Sequence, residues 1–156
     1  MSKIKYVDGD ATYPIGDGKK IIVHCCNDVQ KWGKGFVLAL SKRWSAPERM
    51  YRETPVKDLK LGNVQIVEVE LNIIVANMIG QHDIKYSPDG QPPIRYNAIR
   101  TALKTVNDLA LTIGATIHAP KFGSDLAGGN WSEIEKIIKE TMTVDVTIYN
   151  YKPLKK

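Results

Sequence analysis

Two glycine-rich segments, far apart in the chain, carry residue types that bind phosphate. The first spans residues 24–35 and the second spans residues 120–131. Each follows an apolar run typical of a strand and precedes a run typical of a helix. Glycine lets backbone N–H groups approach a ligand closely, and the positive end of a helix dipole favours an anion. Two such segments facing one cleft suit a diphosphate better than a single phosphate.

Neither segment matches a standard nucleotide motif. The P-loop needs Gly-Lys-Ser/Thr at a fixed spacing, and the dinucleotide fingerprint needs Gly-x-Gly-x-x-Gly; the chain has neither. For either segment taken alone, an ordinary turn is the alternative interpretation. The pair together therefore supports the anion-binding hypothesis better than either one does.

The hydrophobic pattern indicates which elements position these segments. We predict strands at residues 4–7, 20–26, 64–70, 73–78, 116–119 and 144–149, and helices at residues 36–44, 46–53, 94–113 and 131–142. The run 20–26 is continuously apolar, which is typical of a central strand covered on both faces. Mixed strands and helices along the whole chain favour an α/β domain with a mostly parallel sheet and helices on both faces.

Composition narrows the class of protein. The chain has 156 residues, of which 43% are hydrophobic and 25% charged, and we expect one domain over residues 1–156. Three of the five net positive charges come from lysines among the last five residues, so no basic nucleic-acid surface is predicted. With no membrane-spanning run or signal peptide, we expect a soluble, cytoplasmic protein without membrane partners. Cys25 and Cys26 are adjacent, so neither a disulfide framework nor a metal site is predicted.

The order and spacing of several short motifs resemble the macrodomain family, which binds ADP-ribose. The matching motifs are Gly9-Asp10-Ala11-Thr12, His24-Cys25-Cys26-Asn27, Trp32-Gly33-Lys34-Gly35-Phe36, Pro120-Lys121-Phe122-Gly123 with Trp131, and the strand 146–149. The His-x-x-Asn and Trp-Gly-x-Gly forms are most similar to the branch with ADP-ribose-1″-phosphate phosphatases and terminal ADP-ribose–protein glycohydrolases. The resemblance implies a three-layer α/β/α fold with a mixed, mostly parallel sheet and no cofactor.

The resemblance also implies roles for individual residues. Asp10 would accept a hydrogen bond from the adenine amino group beside the Ala11 backbone, and Asn27 would contact the distal ribose. The residues expected to line the diphosphate and ribose sites are Gly33, Lys34, Gly35, Phe36, Gly123, Ser124, Asp125, Leu126, Ala127 and Gly128. Tyr149, Asn150 or Tyr151 would cover the adenine. The alternatives are a turn-forming role for Asp10 and a packing role for the tyrosines.

The sequence departs from the glycohydrolase branch at two positions. That branch has a catalytic lysine after the strand matching residues 73–78, where this chain reads Asn77-Met78-Ile79-Gly80-Gln81. It also has an aspartate in the second segment, where this chain has Ala127, with Asp125 two residues earlier. A covalent lysine mechanism is therefore disfavoured.

The remaining catalytic candidates are His24, Asn27 and Asp125. His24 is suited to acid–base work near neutral pH, and its alternative is a structural hydrogen bond on a buried strand. Asp125 would position water or protonate a leaving oxygen, and its alternative is a loop cap.

The first hypothesis is hydrolysis of ADP-ribose-1″-phosphate to ADP-ribose and phosphate. The alternatives are a non-catalytic reader of ADP-ribose or ADP-ribosylated protein, and a glycohydrolase with a non-lysine mechanism.

Overall fold

The computed structural model describes residues 4–124 and 127–152, which form six strands and four α-helices. The strands are β1 (Ile4–Gly9), β2 (Lys19–Asn27), β3 (Val64–Glu70), β4 (Ile73–Gln81), β5 (Ala115–Pro120) and β6 (Val146–Tyr151). The helices are α1 (Phe36–Arg43), α2 (Ala46–Glu53), α3 (Tyr96–Ile113) and α4 (Trp131–Thr141), and a short 3-10 helix spans Val56–Asp58.

All strands lie in one sheet of order β1-β6-β5-β2-β4-β3. β3 is antiparallel to β4, and the other neighbouring pairs are parallel. β3 and β4 form the hairpin that the sequence predicts. The five remaining strands run in one direction, so their carboxyl ends lie at a single edge of the sheet. The loops that follow β1, β2, β4 and β5 therefore begin at that edge.

Helices cover the two faces because successive residues of a strand point to opposite sides. On one face α3 and α4 pack against a cluster that includes Ile21, Ile117 and Ile148. On the other face α1 and α2 pack over β2 and β4, around Ile22 and Tyr51. The predicted three-layer α/β/α fold with a mixed, mostly parallel sheet is thereby confirmed.

The elements differ from the sequence prediction mainly at their ends. β4 continues to Gln81 and α3 begins at Tyr96, two residues later than predicted. Ile94 does not join the helix because it forms an isolated antiparallel bridge with Gln81 and donates its N–H to the Ala127 carbonyl at 3.1 Å. The sequence pattern also gave no sign of the short 3-10 helix.

Candidate functional site

The two glycine-rich segments leave neighbouring strands and face the same cleft. The first glycine loop (residues 28–35) follows β2, and the second glycine loop (residues 121–130, described except for 125 and 126) follows β5. β2 and β5 are paired in the sheet. A cavity of about 190 Å³ lies between the loops and is lined by residues of both, including Gly35, Phe36 and Gly123. The predicted convergence of the two loops is thus present in the structure.

Asn27 holds the first glycine loop in shape with its side chain. Its Oδ1 accepts hydrogen bonds from the backbone N–H groups of Val29 and Lys31, both at 3.1 Å, and from the Tyr51 hydroxyl at 2.7 Å. Its Nδ2 donates to the Lys31 carbonyl at 2.8 Å. Most of its hydrogen-bonding capacity is therefore used inside the protein. For the predicted contact with a distal ribose, Asn27 has one Nδ2 hydrogen left to donate.

The start of α1 keeps its backbone donors free of side-chain caps. Its N-cap is Gly35 at φ 81°, with no side-chain cap bond and no acidic residue in the first turn. By contrast, α4 is capped by Asn130, whose side chain accepts from the Ser132 N–H at 2.9 Å, and carries Glu133 in its first turn. A phosphate group between the loops would therefore interact with the α1 N-terminus more favourably than with the α4 N-terminus.

The glycines of the two loops serve different purposes. A Cβ on Gly33 would meet nothing within 4 Å, so this backbone is open to the cleft. In the second loop a Cβ on Gly129 would lie 2.3 Å from the Gly123 carbonyl oxygen, and one on Gly128 would lie 2.6 Å from the Tyr86 hydroxyl. Close packing therefore explains these second-loop glycines, which agrees with the interpretation of this segment as an ordinary turn. Ser124 also satisfies a local turn, donating its hydroxyl to the Lys121 carbonyl at 2.9 Å.

A larger cavity of about 490 Å³ continues from the first one along the first glycine loop. Cys25, Lys34, Val37 and Gln81 line both cavities. Three further lining groups are cationic or aromatic: Lys31, Arg52 and Trp32. Among the residues that the structure describes, no carboxylate lines this cavity, although Arg52 is paired outside it with Glu48 at 2.7 Å. The two cavities together form an elongated cleft whose far end is positively charged.

His24 is buried beneath the first glycine loop, with 2% of its surface exposed. Its Nε2 lies 2.6 Å from the Asn77 Oδ1. The Asn77 Nδ2 donates to the carbonyl of Pro47 and to Gln65 Oε1, so Oδ1 is the acceptor and the imidazole donates. Burial lowers the pKa of His24 to about 4, which keeps the ring neutral.

These contacts favour the structural alternative for His24. The ring also packs edge-on against Trp32 at 5.5 Å and lies 5.7 Å from the Phe36 ring, so it supports the middle of the first glycine loop and the start of α1. A general acid or base needs to reach the proton that it transfers. The acid–base role of His24 stays a prediction, and its burial argues against it.

Asp10 lies directly after β1 at the same sheet edge. Its Oδ1 accepts from the Thr12 N–H at 2.9 Å and from the Thr12 hydroxyl at 2.8 Å. This turn is the alternative that the sequence offered, but it leaves Oδ2 available. Asp10 can therefore form the turn and accept a bond from an exocyclic amine at once, while Ala11 beside it is buried.

Tyr149 is 2% exposed, which favours its packing alternative. Its hydroxyl accepts from the Ile15 N–H at 2.9 Å and lies 2.8 Å from His118 Nδ1. It therefore fastens the loop that follows Asp10 to the sheet instead of covering a ligand. Asn150 is half-buried and Tyr151 is exposed at the end of β6, and the adenine contact stays a prediction for these two residues.

Asp125 and Leu126, predicted for the second glycine loop, lie outside the described residues. Sequence reasoning gave no role to Gln81, which lines both cavities. The sequence feature that could have indicated a role for Gln81 is its position directly after the apolar run of β4, at the edge of the sheet where Asn27 and Pro120 also lie.

Two global properties bear on the site. Within residues 4–124 and 127–152, no group of three His, Cys, Asp or Glu side chains is arranged to hold a metal ion. No helix in the described part of the chain has the length and apolarity needed to cross a membrane.

A mostly parallel sheet whose carboxyl ends carry two glycine loops around one cavity is an α/β fold of the kind that binds ligands at that edge. A solved macrodomain protein from Streptomyces coelicolor is 46% identical, with a TM-score of 0.82, and the match covers 96% of this chain and 100% of that one. The chain therefore belongs to the macrodomain family. A solved protein of unknown function from Bacteroides thetaiotaomicron is 50% identical, with a TM-score of 0.92 and coverage of 95% and 98%. No family model matches the sequence.

Curated relatives are more distant or much longer. The zebrafish chromodomain-helicase-DNA-binding protein 1-like is 34% identical over 96% of this chain, but the chain spans only 16% of that protein and 18% of its mouse counterpart. An ADP-ribose 1″-phosphate phosphatase from Candida albicans is 24% identical, with coverage of 94% of this chain and 98% of that one. The fold is also shared with Thermosipho africanus DarTG, solved in complex with ADP-ribose, at 15% identity and a TM-score of 0.76.

Proposed function

We propose that the chain binds ADP-ribose along the edge of the sheet and hydrolyses ADP-ribose-1″-phosphate to ADP-ribose and phosphate. The observation that supports this most directly is the elongated cleft, which leads from between the two glycine loops to a region lined by Lys31, Lys34 and Arg52. Membership in the macrodomain family and the phosphatase relative support the same ligand.

The length of the sheet edge fits an elongated ligand. Asp10 follows β1 and Gln81 ends β4, and four strand spacings separate these strands in the order β1-β6-β5-β2-β4. With neighbouring strands just under 5 Å apart, this span is about 19 Å. A single phosphate would occupy only the middle of it. A nucleoside diphosphate with a second sugar extends from the amine-accepting Asp10 past both glycine loops.

The diphosphate is expected to lie in the cavity between the loops. There it meets the uncapped N-terminus of α1, and Lys34 lines the same cavity, whereas the open backbone at Gly33 borders the larger cavity next to it. The distal ribose then reaches the junction of the two cavities. A phosphate on its C1″ points into the larger cavity, where Lys31 and Arg52 offset its charge.

Binding is tested by calorimetric titration of the protein with ADP-ribose, which is expected to show saturable binding. Turnover is tested separately by measuring phosphate release from ADP-ribose-1″-phosphate, in which water attacks phosphorus and the P–O bond to C1″ oxygen breaks. Arg52→Gln is expected to slow the release, and Arg49→Gln, one turn away on the exposed side of α2, serves as the control. Phosphate release no faster than in buffer would refute the phosphatase proposal.

A binding module for ADP-ribosyl groups is the second candidate function. The buried, neutral His24 favours it, because this residue was the foremost acid–base candidate. Although it borders the cavity between the loops, its Nε2 is bonded to Asn77 and its pKa is lowered to about 4. Saturable binding of ADP-ribose without phosphate release would support this candidate.

A further inference from the structure

We propose that Arg43 is a positioning residue, which holds Asp10 in the orientation that accepts a hydrogen bond from the adenine amino group. This inference rests on the proposed binding of ADP-ribose and deepens it, because it names what sets the preference for adenine. Arg43 ends α1 and belongs to none of the motifs that relate the sequence to macrodomains. It also lines neither cavity of the cleft, so it acts on the ligand only through other residues.

Arg43 joins three elements that are far apart in sequence. Its Nη1 donates to the Thr12 carbonyl at 2.5 Å, and its Nη2 is paired at 2.9 Å with Oε2 of Glu70 at the end of β3. The guanidinium also lies over two aromatic rings, 3.9 Å from the Tyr13 centroid and 4.4 Å from the Trp44 centroid. Because a planar guanidinium can stack and donate in fixed directions at once, these contacts hold the side chain in one place.

The bond to the Thr12 carbonyl bears on Asp10, because Thr12 holds the Asp10 carboxylate. The Thr12 N–H and hydroxyl both donate to Asp10 Oδ1, at 2.9 Å and 2.8 Å. Thr12 is fully buried, so its carbonyl needs a partner inside the protein, and Arg43 provides one. With Thr12 held on both sides, Asp10 Oδ1 is occupied and Oδ2 is kept in one direction for a ligand.

Other bonds keep the loop between β1 and β2 (residues 10–18) attached to the protein. The Ile15 N–H donates to the Tyr149 hydroxyl at 2.9 Å, and the Tyr13 N–H donates to the Asp10 carbonyl at 2.8 Å. Removing the Arg43 guanidinium is therefore expected to leave the loop in place while it frees the Thr12 peptide to move. The Asp10 carboxylate is then still present but less well oriented, so a ligand must order it at a cost in affinity.

A well-oriented carboxylate distinguishes adenine from hypoxanthine. The adenine amino group donates a hydrogen bond, whereas the oxygen at the same position of hypoxanthine can only accept one. Opposite Asp10 Oδ2, that oxygen lacks a donor and meets a negative charge, so a fixed carboxylate rejects it. A carboxylate that can turn away loses much of this discrimination.

The test compares calorimetric titrations with ADP and with inosine diphosphate (IDP), which share the ribose and diphosphate and differ only in the base. Wild type is expected to prefer ADP. In Arg43→Gln this preference is expected to fall about three- to tenfold, the range for one hydrogen bond. Arg100→Gln is the matched control, because it removes an arginine of α3 that is paired with Glu140 on the opposite face of the sheet.

Two further variants separate positioning from a general loss of structure. Arg43→Lys keeps the charge without the planar fork, and it is expected to give an intermediate preference for ADP. In Asp10→Ala no carboxylate remains to be positioned, so adding Arg43→Gln is expected to change the preference no further. Melting temperatures are measured alongside, to establish that each variant is folded during the titration.

The outcomes distinguish this role from the proposed function. Equal weakening of ADP and IDP binding in Arg43→Gln, or a further fall in preference in the Asp10→Ala background, would refute the positioning role and leave the proposed function intact. A wild type that binds ADP-ribose but does not distinguish ADP from IDP would refute it as well. Failure of the wild type to bind ADP-ribose would overturn the proposed function itself, together with this inference.

Discussion

Replacing His24 with glutamine is expected to make the protein less sensitive to acid. The folded state keeps the imidazole neutral, with a pKa of about 4 against 6.5 for the unfolded chain. Between these values the unfolded state binds the proton and the folded state does not. The contribution of His24 to stability is therefore complete above about pH 6.5 and is lost progressively as the pH falls towards 4. Glutamine cannot titrate, yet its amide can still donate to Asn77.

The size of the effect follows from the two pKa values of His24. The difference between 6.5 and about 4 corresponds to about 3 kcal/mol when the unfolded state is fully protonated. Between about pH 7 and pH 5 the expected loss in free energy of unfolding is about 2 kcal/mol for this residue. Burial also lowers the pKa of His118 to about 4, so some acid sensitivity remains in the variant.

Urea unfolding at both pH values measures this difference, with the fluorescence of Trp32 and the other tryptophans as the signal. The quantity compared is the change in free energy of unfolding from pH 7 to pH 5, in wild type and in His24→Gln. Contributions of other histidines cancel because both proteins contain them. If the two proteins lose the same stability, His24 is not the buried neutral base described here.

Three further substitutions test separate parts of the site. Gly33→Glu is expected to abolish ADP-ribose binding in calorimetry, because it places a carboxylate in the cleft next to the proposed diphosphate site. Leu71→Glu, 88% exposed on the β3–β4 turn, is expected to leave binding intact, and binding by Gly33→Glu would refute the placement. Asn27→Ala is expected to lower the free energy of unfolding by about 2–4 kcal/mol, because it leaves two loop N–H groups without their acceptor, while the Tyr51 hydroxyl keeps its bond to the backbone carbonyl of residue 27. A loss below about 1 kcal/mol in urea unfolding would contradict that role in holding the loop. Gly80→Ala is expected to lower the melting temperature, since its Cβ would lie 2.5 Å from the Cδ1 of Ile99, and an unchanged melting temperature would show that the core yields there.

Sequence patterns predicted most of the secondary structure because the periodicity is strong. β2 is buried almost throughout, which requires a continuous apolar run, and α3 buries one face, which requires apolar residues at helical spacing. The end of β4 was harder to predict. Gly80 and Gln81 interrupt the apolar pattern, yet pairing with Asn27 extends the strand to include both.

The site was less predictable, because the partners of its polar side chains are distant in sequence. His24 hydrogen-bonds Asn77, 53 positions away, and Asn27 is bonded to Tyr51 on α2. A motif shows that such a residue lies at the site, but not whether its polar atoms face the ligand or the protein. Gln81 illustrates the converse, since its place at the site becomes evident only from the two cavities that it lines.

The pairing of β2 with β5 has a mechanical consequence. The two glycine loops follow strands that pair with each other from Lys19–Ala115 to Ile22–His118, so the spacing of one strand pair, about 4.8 Å, sets the sideways distance between the strands that carry the loops. That separation cannot increase unless ladder hydrogen bonds break in the centre of the sheet. Substitutions in the loops can therefore change the charge and shape of the cleft wall, whereas the width at its base is a property of the sheet and stays the same.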